Sequence, residues 1–116
     1  MFCWGLTCCD IYDTIRTVKT VKQTAEYRKW YNRLSDVMTK ARIDVRIQRL
    51  AMGHAGDVKT IDCNVKELRF HFGPGYRVYF TERCGEIVIL LAGGDKSTQT
   101  TDIKKAIALC AGIMED

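Results

Sequence analysis

Lys59, Arg69, His71, Arg77, Tyr79 and Lys96 are the side chains of this sequence best suited to hold a phosphate and move protons beside it. Arginine forks match phosphate oxygens two at a time. Fixed cations aimed at developing negative charge are usually the largest catalytic contribution. Proton transfer by a placed side chain adds roughly 10²–10⁴-fold. Lys59, Arg69, Arg77 and Lys96 would supply the charge. His71, Tyr79 or a lysine with a lowered pKa would move the protons. Such parts suffice to cut RNA without a metal: a 2′-hydroxyl loses a proton and attacks the adjacent phosphorus, and the leaving 5′-oxygen gains one.

That chemistry needs the groups on one surface, and strand parity is the device that would gather them. Val58 to Cys63, Val65 to Phe72, Tyr76 to Glu82 and Glu86 to Ala92 show a period of two, and their tight spacing demands antiparallel hairpins. Around Gly73-Pro74-Gly75 a three-residue loop pairs Phe72 with Tyr76, Phe70 with Val78 and Leu68 with Phe80, all apolar. The same register sets His71 by Arg77, Arg69 by Tyr79 and Glu67 by Thr81. A one-residue slip would drive charges into the core. The sheet is therefore expected to have one apolar face for helices and one solvated face carrying the polar set.

Ahead of the meander, Thr14 to Lys22 reads as an edge strand. Thr24 is an N-cap candidate for a helix over Ala25 to Leu34, whose Tyr27, Trp30, Tyr31 and Leu34 form a core stripe. Ser35 or Asp36 starts a second helix ending near Met52, with Gly53 as its stop. Met38, Ala41, Val45, Ile47 and Leu50 are expected to be buried, and Arg42, Arg46 and Arg49 form a basic stripe suited to RNA. So short a link makes the two helices a hairpin. A last helix spans about Thr98 to Ala111. The fold class is α+β: a twisted antiparallel sheet with an N-terminal edge strand, packed by a helical hairpin and a C-terminal helix.

The 116 residues fit one domain, and 47% apolar content excludes wholesale disorder. Residues 1–13 read as an extension and 14–116 as the domain. The net charge is +4, yet residues 14–83 hold 15 Lys and Arg against 7 Asp and Glu, which points to a polyanionic partner. Cys3, Cys8, Cys9, Cys63, Cys84 and Cys110 show no C-x-x-C or zinc spacing. They suit a reducing cytoplasm, with Cys63, Cys84 and Cys110 as packing residues. With two histidines and no ligand spacing, neither a metal nor a cofactor is expected. No apolar run approaches the ~20 residues of a membrane span. Gly93-Gly94-Asp95-Lys96-Ser97-Thr98 looks like an anion-binding turn at a helix start but lacks the Walker spacing.

Read in order, Gly56-Asp57-Val58-Lys59, Val65-Lys66-Glu67-Leu68-Arg69, Phe72-Gly73-Pro74-Gly75-Tyr76-Arg77-Val78-Tyr79-Phe80 and Leu91-Ala92-Gly93-Gly94-Asp95-Lys96-Ser97-Thr98-Gln99, then Asp102-Ile103, resemble one known family. It is the RelE/HigB-type toxins of type II toxin–antitoxin modules, in the branch of addiction-module killer proteins. The resemblance runs from about Thr14 to Ala111. It implies a RelE-like fold and a ribosome-dependent endoribonuclease that cuts mRNA in the A site, halting translation and growth. It also implies a cognate helix-turn-helix antitoxin. By similarity Lys59, Arg69 and Lys96 match basic residues of the pocket, and Tyr76 with Arg77 match the pair after the central turn. Where RelE carries a catalytic tyrosine this chain has Asp102, so Tyr79, His71 or Asp95 is left to stand in. The same fold also serves ParE-like gyrase inhibitors, which do no chemistry, and an inactive relic would keep only antitoxin binding.

Overall fold

The computed structural model describes residues 18–62 and 64–114, the side chain of Met114 excepted. The expected extension over residues 1–13, the start of the first strand and Cys63 lie outside them. The elements are β1 (Thr20–Gln23), α1 (Ala25–Arg33), α2 (Val37–Ala51), β2 (Val58–Thr60), β3 (Lys66–Arg69), β4 (Arg77–Arg83), β5 (Ile87–Gly94), a 3₁₀ turn (Lys96–Thr98) and α3 (Gln99–Met114). One five-stranded sheet has the order β1-β5-β4-β3-β2. β2 to β5 form the expected antiparallel meander, and β1 joins the β5 edge in parallel. This is the α+β architecture expected of a RelE-like fold. No helix among the described residues is long and apolar enough to cross a membrane.

Local chemistry sets the helix ends. The Thr24 hydroxyl accepts from the Tyr27 N–H at 3.1 Å and donates to the Leu91 carbonyl at 2.6 Å, so one side chain caps α1 and fixes it to β5. Thr24→Ala is expected to cost about 1–2 kcal/mol, measured as a lowered urea midpoint, because a cap and a tertiary bond go together. Tyr31 Oη donates to Asp44 Oδ2 at 2.7 Å and ties α1 to α2. Gly53 stops α2 at φ +91°, where a side chain would be strained.

The buried face of α2 differs from the expected one. Thr39, Ile43, Ile47, Leu50 and Ala51 are buried, whereas Met38, Ala41 and Val45 are exposed. The helix carries apolar residues on two stripes, and contact with Leu68, Phe70 and Val78 selects the one centred on Ile43.

The central hairpin also differs, by two residues. Leu68 pairs with Val78 and Arg69 with Arg77, and the Phe70 N–H donates to the Tyr76 carbonyl at 3.0 Å. Residues 71–75 are left as the loop. Gly73 and Gly75 both have positive φ, and the Gly75 N–H donates to the Phe72 carbonyl at 3.1 Å. Phe72 packs on Phe70 and Tyr76 instead of pairing across the strands. An even shift preserves parity, so no side chain changes face.

The expectation of a solvated second face is overturned. α3 lies on it, and Val65, Tyr79, Ile89, Leu91, Ala106 and Cys110 make a second core there. β5 alternates Val88 and Leu90 into the first core with Ile89 and Leu91 into the second. A strand apolar on both faces must be covered on both. Cys84, expected as packing, is instead exposed in the β4–β5 turn at φ +55°. Cys110 is buried as expected.

Candidate functional site

Parity places Asp57, Lys59, Glu67, Arg69, Arg77 and Tyr79 on the α3 side of the sheet, in cross-strand rows. One row runs Lys59, Glu67, Tyr79, Ala92; the next runs Asp57, Arg69, Arg77, Gly94. Opposed residues have Cβ atoms about 5 Å apart. The first turn of α3 reaches the β5 end of both rows, where Asp102 lies against Gly94, and the partly exposed part of the second row is its Asp57 and Arg69 end. Gln99 Nε2 donates to Glu67 Oε2 at 2.9 Å.

Arg69 and Arg77 are register partners across β3 and β4, Arg69 partly exposed and Arg77 mostly buried. Each is braced by a carboxylate. Arg77 NH1 donates to Glu67 Oε1 at 3.4 Å, and its side chain keeps 14% exposure beside the fully buried Glu67. Arg69 Nε donates to Asp57 Oδ2 at 3.3 Å. His71 extends from the loop, and its Nε2 meets the same Oδ2. Lys59 is exposed on the edge strand. Lys96 comes to the β3–β4 loop because its backbone N–H donates to the Pro74 carbonyl at 3.4 Å. A Cβ added at Gly75 would stand 3.4 Å from the Lys96 Cβ, so the 3₁₀ turn rests on the glycine loop. Arg69 and His71 thus meet through Asp57, Arg77 is the cross-strand partner of Arg69, Lys96 stands against the glycine loop, and Lys59 lies one row away.

The other expected groups are placed differently. Tyr79 is 0% exposed beneath α3, so its phenol does not face solvent. Burial first, then the Glu67 charge, pushes that hydroxyl far above its ordinary range. Its hydroxyl and the Arg77 Nε are buried without a hydrogen-bond partner. Asp95 caps the 3₁₀ turn, accepting from the Ser97 N–H at 2.9 Å, so its carboxylate serves the turn. Asp102, where RelE has its tyrosine, is buried and accepts from the Thr98 hydroxyl.

Arg42, Arg46 and Arg49 line a groove on the opposite side of the β3–β4 loop. Arg46 is a clamp there. NH1 donates to the Arg69 carbonyl at 2.8 Å, NH2 reaches the Ala55 and Asp57 carbonyls at 3.3 and 3.4 Å, and the guanidinium lies 4.8 Å over the Phe70 ring. Burial lowers its pKa from the ordinary arginine value. No group of three His, Cys, Asp or Glu side chains converges among the described residues.

Asp57 is the residue that sequence reasoning missed. It stands in the Gly56-Asp57-Val58-Lys59 run, four residues past the α2 stop at Gly53, and only tertiary contact gives it a role. The His71 hydrogen bond, opposed by burial and assisted by Arg69, holds its carboxyl below the ordinary aspartate value. A carboxylate lowered on folding stabilises the fold above the unfolded pKa, near pH 4, and loses that contribution as pH falls through the lower folded value. The acid limb of a urea-midpoint profile is therefore expected to be shallower below about pH 4 in Asp57→Asn than in the wild type.

The sequence profile of the phage-derived Gp49-like proteins (DUF891) matches residues 29–111. The chain belongs to this family. It is a toxin-like family of toxin–antitoxin modules. The match on this Gp49-like chain begins in α1 and ends in α3, so it includes Lys59, Arg69, His71, Arg77 and Lys96. The chain is also 46% identical over 86 residues to an uncharacterized protein of Haemophilus influenzae, covering 74% of this Gp49-like chain and 87% of that protein. No solved structure matches it.

Proposed function

We propose that the protein is the toxin of a type II module, of the RelE/HigB kind, and acts as a ribosome-dependent mRNA endoribonuclease. The observation that carries this reading is the pairing of Arg69 with Arg77 across β3 and β4, Arg69 partly exposed, with the exposed Lys59, His71 and Lys96 on the neighbouring strand, loop and turn. In this reading Arg69, Arg77 and Lys96 hold the non-bridging oxygens of the scissile phosphate. The 2′-oxygen forms its bond to phosphorus as the bond to the 5′-oxygen breaks, leaving a 2′,3′-cyclic phosphate. His71, held by Asp57, exchanges protons with these oxygens, with Lys59 beside it. Asp57 engages one ring nitrogen, which leaves the other for the substrate. Tyr79 takes no part, since it is buried. The RNA partner is mRNA in the ribosomal A site, with Arg42 and Arg49 as outer contacts, and the protein partner is a helix-turn-helix antitoxin.

Induction in a bacterial host tests this. Growth should stop, and transcripts should show cuts inside translated codons that end in cyclic phosphate. Intact transcripts would sink the nuclease reading. A supercoiling assay with purified protein and gyrase separates it from a ParE-like inhibitor, which would act without ribosomes.

A further inference from the structure

The groove between α2 and the Phe70–Phe72 segment has a volume of about 360 Å³ and opens on the side of the β3–β4 loop away from the arginine pair. Its apolar part is Ala41, Val45, Phe70 and Phe72. Val45 in the groove is 44% exposed, and the apolar strip continues along α2 beyond it with Val37, 76% exposed, and Met38, 62%. At 1.5 Å per residue, Val37 to Val45 spans about 12 Å, roughly two helical turns. Contiguous exposed apolar surface of this kind marks a binding face. Its rim is Arg42, Arg49 and His71, with no acidic residue lining it.

We infer that this groove receives an acidic amphipathic helix of a partner protein. Three observations favour a helix over an RNA base. The Phe72 ring lies under the Arg42 guanidinium at 4.9 Å and the Phe70 ring under Arg46 at 4.8 Å, so these aromatic faces are engaged. Arg46 is spent on backbone carbonyls. The remaining strip is aliphatic, at positions 37, 38, 41 and 45, the spacing that packs against another helix. The rim cations Arg42 and Arg49 are two turns apart and would meet carboxylates flanking the partner's apolar stripe. His71 belongs both to this rim and to the proposed catalytic end. A helix seated here would therefore touch the proton-moving group and exclude RNA from it. The partner's identity rests on the reading above, as the antitoxin; the surface does not.

Val45→Glu tests the surface, because Val45 is exposed and stands outside the proposed catalytic end. The full chain and the product of the adjoining reading frame are co-expressed, purified and titrated by calorimetry. Val45→Glu should weaken the complex by roughly 30-fold or more, the effect of breaking a central contact, while growth arrest in the absence of the partner is unchanged. Arg42→Ala with Arg49→Ala should weaken it several-fold at low salt and less at high salt. Ala41→Glu, at a second exposed position, guards against a local misfold and should act like Val45→Glu. Wild-type affinity in both glutamate variants overturns the proposal, as does failure of the wild-type chain to form a complex. So does a homodimer of the isolated chain that Val45→Glu disperses, since the occupant is then a second copy. Loss of single-stranded RNA binding with the complex intact overturns it too. Absence of growth arrest in the wild type would refute only the nuclease reading.

Discussion

Arg69→Ala is expected to lower mRNA cleavage by roughly 10²–10³-fold, the usual effect of removing a fixed donor from a developing oxyanion. Growth arrest on induction should vanish with it. Arg69 lies opposite Arg77, so its loss halves the arginine charge that the proposed reaction would draw from the two strands. Lys96→Ala should act in the same direction from the other rim of the site. Neither change should unfold the protein. The Arg69–Asp57 pair is a third exposed, and pairs of that kind contribute about 0–1 kcal/mol. The assay is primer extension on translated transcripts, beside a circular dichroism melt of each variant. Full toxicity in both variants would place the reaction elsewhere on the molecule.

Gly93→Ala and Gly94→Ala are each expected to destabilise the fold by about 3 kcal/mol or more, the upper range for overpacking. A Cβ on Gly94 would stand 1.8 Å from Asp102 Oδ2 and 2.9 Å from the Thr98 hydroxyl. A Cβ on Gly93 would stand 2.2 Å from Trp30 Cε3. Here glycine is required for close approach and not for its dihedral freedom. On one face of β5 the missing side chain admits the indole of α1; on the other it admits the buried carboxylate of α3. Because Gly94 is the register partner of Arg77, the substitution should also disturb the site. Urea midpoints measure the effect, and an unchanged midpoint for Gly94→Ala would mean that α3 does not seat as described.

The meander, the helical hairpin, the Thr24 cap and the α2 stop were legible along the chain, because each is local. Hydrophobic period, a capping hydroxyl and a glycine report on a few neighbouring residues. The turn at Gly73-Pro74-Gly75 suggested a register two residues off, since glycines mark where a chain reverses but not how far the ladder runs. What limits the ladder is Phe72, drawn into the core beside Phe70 and Tyr76. The covering of the second face did leave a signal. The period of two expected over Glu86 to Ala92 does not hold there: Ile87 to Ala92 is apolar without alternation, which fits a strand buried on both sides.

The candidate site divides the same way. That Lys59, Arg69 and Arg77 share a face follows from parity alone, and an error of two residues in register left it untouched. That Tyr79 and Glu67 share the face and yet are buried depends on where α3 comes to rest, and that is decided by packing against Ile89, Leu91 and Val65. The partnership of Asp57 with His71 and Arg69 joins residues from a loop, a strand and a turn.

Sequence by itself determined which residues point together, because a strand's side chains alternate whatever surrounds them. Only the tertiary structure decided which of them meet solvent, because burial belongs to the whole packed molecule and depends on a helix distant along the chain.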